Sequence, residues 1–238
     1  MNRYNILIIL FFILFTGVGL YGMVPVFPSP LTVKVCKQDT LKQNQILYNG
    51  KIWRNLYYLV KKDQFLFSKE FLPGSLTING KTFTDIYLKY DIFKDEILTP
   101  VDSGGILQLN KEMVDSFSVL FQNKTYRFIK MKVDGLKGSI GYFNILYKGK
   151  SSLFIEYIKK IEKLAVEGQY DEFYLLTRIY FMKDNKVHLI ASKSDLLNLL
   201  GEDKYLIKSF IKKNKFRVSE KLPESFIPVI IYYDRLGQ

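Results

Sequence analysis

The sequence predicts an α+β fold: a mainly antiparallel, hairpin-rich β body closed by two or three C-terminal helices. Three observations carry that expectation. Short strand-like runs alternate with turn dipeptides from residue 45 to residue 191. Phe and Tyr, which favour pleated, half-buried surfaces, number 19 and 17. After Ala191 the apolar period changes from that of a strand to that of a helix.

The elements follow in chain order. Asn49-Gly50 separates Gln45–Tyr48 from Ile52–Val60, and Asn79-Gly80 separates Ser75–Ile78 from Thr82–Leu88. Asn-Gly suits the positive φ angles of a type I′ turn, so each pair predicts a hairpin. Further strands are expected at Asp91–Leu98, Gly105–Leu109, Ser116–Gln122 and Tyr126–Val133. Tyr142–Tyr147 then turns at Lys148-Gly149-Lys150 into Ser152–Ile158. Glu172–Met182 turns at Asp184-Asn185 into Val187–Ala191. Within the former, Phe173, Leu175, Ile179 and Phe181 share one face, and Tyr174, Leu176, Tyr180 and Met182 the other. Apolar groups on both sides predict a central strand covered twice.

Ser192 or Ser194 can cap a short helix over Asp195–Leu200, and Gly201 suits its stop. A second helix is expected over Glu202–Lys213, with Leu206, Ile207, Phe210 and Ile211 on one face. Its opposite side carries Lys204, Lys208, Lys212 and Lys215. A third helix is expected near Pro223–Leu236, with Pro228 limiting where it can begin.

The N-terminus reads as an export segment. Arg3 precedes ten apolar residues, Ile6 to Phe15, and small residues follow at Thr16, Gly17 and Gly19. A cleaved signal over residues 1–22 is the favoured reading, placing the chain in the periplasm or cell envelope. A retained anchor is the alternative, because Ile6 to Val24 is uncharged. Residues 23–44 form a Pro-containing linker. Two β-rich stretches, 45–135 and 136–238, then meet near Asp134, Gly135 and Gly138, as separate halves or as one domain.

At the C-terminus a resemblance emerges. The run KVHLIASKSDLLNLLGEDKYLIKSFIKKNKF and the final IIYYDRL resemble the tail of uncharacterised exported proteins of Bacteroidetes-type bacteria. NGKIWRNLYYLVKKDQFLFSKEFLPGS and KYDIFKDEILTP are similar to their front half. The resemblance implies an envelope address, and it implies no activity.

Residue inventory narrows the chemistry. His188 is the one histidine and Cys36 the one cysteine, so His- or Cys-rich zinc sites and an intramolecular disulfide have no basis, and a Cys-His pair is disfavoured because Cys36 lies in the linker. Neither a G-x-S-x-G elbow nor a phosphate-binding glycine pattern is present. Asp102-Ser103-Gly104 resembles one half of an aspartic protease loop, but such enzymes need two aspartates sharing a proton. Asp91, Asp95 and Glu96 offer carboxylates of the kind glycosidases use.

What remains favours binding. The net charge is +12, which attracts acidic surfaces. The lysine face Lys204, Lys208, Lys212 and Lys215 and the aromatic cluster around Trp53, with Tyr57, Tyr58, Phe65, Phe67 and Phe71, are the candidate contacts. The expectation is a non-catalytic binding or accessory protein for an envelope partner or an anionic surface, without catalytic residues, metal or cofactor and without a nucleic-acid partner. Membrane association through the N-terminal segment is a further expectation. The alternative is a carboxylate-dependent hydrolase of envelope glycans or peptides.

Overall fold

The computed structural model describes residues 47, 49–133, 140–163 and 171–236, all within one compact unit, Gln38–Gln238. The expected signal segment, the linker with Cys36, most of the Gln45–Tyr48 strand and the 134–139 boundary lie outside these residues.

Among the described residues, eleven strands form one antiparallel sheet, with three helices after the last strand. The strands are β1 (Gly50–Ile52), β2 (Leu72–Ile78), β3 (Lys81–Asp91), β4 (Glu96–Pro100), β5 (Ile106–Leu109) and β6 (Val114–Phe121). They continue as β7 (Lys124–Lys132), β8 (Ile140–Lys148), β9 (Ser152–Glu162), β10 (Glu172–Lys183) and β11 (Lys186–Ile190). Their spatial order is β1-β5-β4-β3-β2-β6-β7-β8-β9-β10-β11, so most neighbours are successive hairpins. The pairing of β7 with β8 carries the sheet across the expected boundary without a break.

Local turn chemistry explains the hairpins. Asn79 and Gly80 have φ of 48° and 77°, the left-handed pair a type I′ turn requires. Asp184 and Asn185 do the same at 49° and 58°. The other Asn-Gly pair departs from expectation. Gly50 lies inside β1, opposite Leu109, and a Cβ there would stand 2.1 Å from the Gln108 carbonyl oxygen. This glycine serves close backbone approach, and residues 53–60 form a loop in place of the expected strand. Asp91–Leu98 is likewise a hairpin corner, because the Asp91 carboxylate accepts from the Phe93 and Lys94 amides at 3.0 Å and turns the chain.

The sheet rolls up on itself. The Lys159 amide of β9 donates to Ile92 O at 3.1 Å, although four strands separate β9 from β3 in the sheet. Between them runs segment 61–66, bound to the end of β3 by Leu66 N to Tyr90 O (2.9 Å) and Ile92 N to Gln64 O (3.0 Å). The enclosed face is aromatic: Phe117 stacks on Phe128 at 4.6 Å, Tyr90 meets both edge-on or nearly so, and Tyr142 meets Phe117 edge-on at 5.2 Å. Phe67 packs there with φ of 67°, a left-handed conformation that is rare for a bulky residue, held between Phe121 and Tyr126.

The helices are α1 (Lys193–Leu199), α2 (Lys204–Lys213) and α3 (Ile227–Leu236), with 3₁₀ turns at Gly201–Asp203 and Pro223–Phe226. Ser192 caps α1, accepting from the Asp195 amide at 3.1 Å, while Asp195 accepts from the Ala191 amide at 3.0 Å. Gly201 adopts φ of 61° and ends α1 as expected. Leu196, Leu197, Ile207, Ile211, Phe226, Val229 and Ile230 pack with Leu153, Ile179, Phe181 and Ile190 of the sheet. Tyr180, between Ile179 and Phe181, faces a second cluster with Phe143 and Phe154. This part of β10 is therefore covered on both faces, although β10 is next to last in the sheet and Leu175 is half exposed.

Candidate functional site

The expected lysine face divides. On α2, Ile207 and Ile211 turn inward to the helical core, which leaves Lys208 and Lys212, with Lys215 just past the helix end, on the flank beside α1. There they meet Lys193 of α1 around a cleft of about 360 Å³ floored by Leu197, Ile211 and Phe216. Among the described residues, no carboxylate lines this cleft. None of the four ammonium groups forms a salt bridge among the described residues. Lys204 stands apart and donates to Asn198 Oδ1 at 2.7 Å, bracing α1 against α2. Lys193 is the member that sequence spacing missed, since it lies on another helix.

The expected apolar face of α2 is only partly buried. Leu206 is exposed, while Phe210 stacks on Tyr232 of α3 at 3.9 Å. The helix is thus seated on Ile207, Ile211 and Phe210, with its lysine flank turned to solvent and cleft.

Trp53 belongs to a different place. It packs against Phe65 at 5.9 Å and lines a cleft of about 390 Å³ with Tyr57, Gln64, Asp91, Lys94, Glu96 and Gln108. Asp91 and Glu96 stand directly opposite each other where β3 and β4 end. Burial pushes the Asp91 carboxyl up to about 6, more than its hydrogen bonds pull it down. Burial also raises Glu96, against the opposing pull of Lys51 and Lys94. The pair looks like acid–base machinery until its contacts are counted. Asp91 has no accessible surface; one oxygen accepts the two turn amides and the other accepts Gln64 Nε2 at 2.5 Å. Those bonds build the corner and leave no face for a substrate.

The remaining carboxylates are also engaged or isolated. Asp95 accepts from the Tyr90 hydroxyl at 2.6 Å and pairs with Lys111. Asp102 sits exposed in the turn between β4 and β5, and His188 lies in β11 opposite Phe181. No cluster of three or more His, Cys, Asp or Glu residues suited to a metal occurs among the described residues. No helix among the described residues is long and apolar enough to cross a membrane.

The feature with the clearest chemical preference is therefore the α1–α2 cleft: unpaired ammonium groups from two helices over an apolar floor. Such a site suits an anionic group carrying some apolar surface. The chain matches no known family model, no curated protein and no solved structure.

Proposed function

We propose that this protein is a non-catalytic, exported binding protein of the cell envelope that holds an anionic, phosphate- or carboxylate-bearing group of an envelope component in the α1–α2 cleft. The observation carrying the reading is the convergence of Lys193, Lys208, Lys212 and Lys215 on one apolar-floored cleft that no carboxylate lines among the described residues. Like charges gathered in this way repel one another and add nothing to folding, so an anionic occupant gives them a physical purpose. The export part rests on the uncharged run from Ile6 to Val24 and on the envelope resemblance.

The test is calorimetric titration with short-chain phosphatidylglycerol kept below its micellar concentration, alongside inorganic phosphate. Saturable binding that disappears in a Lys208→Glu, Lys212→Glu, Lys215→Glu variant is the expected result. Binding of the lipid alone identifies a lipid headgroup, and equal binding of phosphate identifies a free anion. Absence of saturable binding to either, or binding unaffected by the charge reversals, overturns the reading.

A further inference from the structure

Among the described residues, four exposed apolar side chains follow one another closely at the end of β1 and in the loop after it. Ile52, Leu56, Tyr58 and Leu59 are 63%, 73%, 75% and 62% exposed. Scattered exposed apolar residues need no explanation, but Ile52 at the end of β1 and three more on the loop, all within eight residues, form a patch.

The loop is held out by design of its inner face. Trp53 N donates to Ile106 O at 2.8 Å, and Tyr57 N to Asn55 Oδ1 at 2.9 Å. Val60 N donates to Tyr57 O at 3.0 Å, closing a tight turn around Tyr58 and Leu59. Lys61 N donates to Asp171 O, and Phe173 N to Lys61 O, at 2.8 and 3.1 Å. Tyr57 turns inward and meets Phe93 and Phe173 edge-on at 4.9 and 6.0 Å. Fixed at both ends and in the middle, the loop presents Leu56, Tyr58 and Leu59 outward in a preformed arrangement.

Its charge selects the occupant. Residues 51–62 read KIWRNLYYLVKK, with Lys51, Arg54, Lys61 and Lys62 and no acid. All four basic residues are exposed; Lys62 is paired with Glu172 at 3.0 Å, and Lys51, Arg54 and Lys61 form the basic surround. A second copy pairing through the same patch would set these cations against themselves, which disfavours a symmetric dimer. Leucine tips, an amphipathic tyrosine and a basic surround match the interface of a bilayer containing acidic lipid. We propose that residues 51–62 form a docking loop that seats Leu56, Tyr58 and Leu59 shallowly in an anionic bilayer. The proposal does not depend on the α1–α2 cleft.

Trp53 is the chain's one tryptophan and sits in this loop, so its emission reports on the loop whatever other segments do. The experiment mixes the full chain with vesicles of phosphatidylglycerol and phosphatidylcholine in equal parts, and with phosphatidylcholine alone. Expected are a blue shift of Trp53 and quenching by lipids brominated near the headgroup, both much weaker without phosphatidylglycerol. Replacing Leu56 and Leu59 by Ser together should weaken the response at least about tenfold, given the apolar surface removed. Leu56→Ser with Leu59→Ser should leave inorganic phosphate and short-chain phosphatidylglycerol binding in the α1–α2 cleft intact, which separates this loop from the cleft. Unchanged emission on mixed vesicles overturns the proposal. So does a response that survives Leu56→Ser with Leu59→Ser, or a concentration-dependent dimer that this variant dissolves.

Discussion

The Tyr147 hydroxyl donates to Asp234 at 2.9 Å, tying strand β8 to the last helix across 87 residues of sequence. The same carboxylate accepts from the Ser151 hydroxyl at 2.6 Å and from the Ser151 amide at 3.1 Å. Asp234 is 6% exposed, so these donors replace water almost completely. It is the clasp between the helical cap and the β8–β9 hairpin.

Breaking that clasp should be costly. Asp234→Ala strands the Ser151 and Tyr147 donors, which is worth about 2–4 kcal/mol of stability. Tyr147→Phe removes one bond and should cost about 1 kcal/mol. Gly149→Ala belongs with the former, because its Cβ would stand 2.3 Å from the Tyr147 hydroxyl and 2.6 Å from Asp234 Oδ2. Urea unfolding midpoints should rank the three accordingly, and an unaffected Gly149→Ala would contradict the geometry.

Asp91 sets a pH dependence. Its folded carboxyl titrates near 6 against 3.8 for the ordinary group, so the folded state holds the proton more tightly. A raised carboxyl stabilises the fold below the lower value and loses that contribution as pH rises through the upper one. Stability should therefore fall between pH 4 and 6 by on the order of 2 kcal/mol. Asp91→Asn keeps an acceptor for the turn amides while the Gln64 amide can reverse to meet it, so the turn survives. Unfolding followed against pH should show this component disappear in Asp91→Asn; an unchanged profile would assign it to other groups.

Three glycines should respond differently to alanine. Gly80 has φ of 77° and open space around its would-be Cβ, so Gly80→Ala should cost only the conformational term, about 1 kcal/mol. Gly50→Ala and Gly74→Ala would each drive a Cβ to 2.1 or 2.0 Å from a carbonyl oxygen of the neighbouring strand. Each should open its strand pairing and cost more than about 2 kcal/mol. Thermal melts of the three variants check the order.

The cleft lysines should be dispensable for folding. Lys208→Gln with Lys212→Gln removes repulsion and breaks no ion pair, so stability at low salt should be unchanged or higher by a few tenths of a kcal/mol, roughly. The gain should vanish at high salt, where screening already hides the repulsion. Marked destabilisation of this variant at either salt concentration would show that the lysines serve the fold.

The sequence by itself determined what depends on a few consecutive residues. Asn79-Gly80 and Asp184-Asn185 accept positive φ, Ser192 can reach the amide three residues on, and Gly201 can end a helix; each fixed an element where it was expected. The alternation in Glu172–Met182 likewise announced a strand, covered on both sides over Ile179–Phe181 but next to last in the sheet where a central place was expected. Tertiary structure decided whatever required partners distant in the chain. Whether Asn49-Gly50 turned or lay flat depended on the Gln108 carbonyl beside it. Whether Asp91 was catalytic or a corner depended on Gln64, brought alongside when the sheet rolled up. The lysine face lost Lys204 to Asn198 and gained Lys193 only when two helices packed, and the run around Trp53 became a loop tip because β5 and β10 hold its ends. Local backbone preferences are legible because they act over three or four residues, whereas sites arise from contacts whose geometry exists only after strand order and helix packing are set.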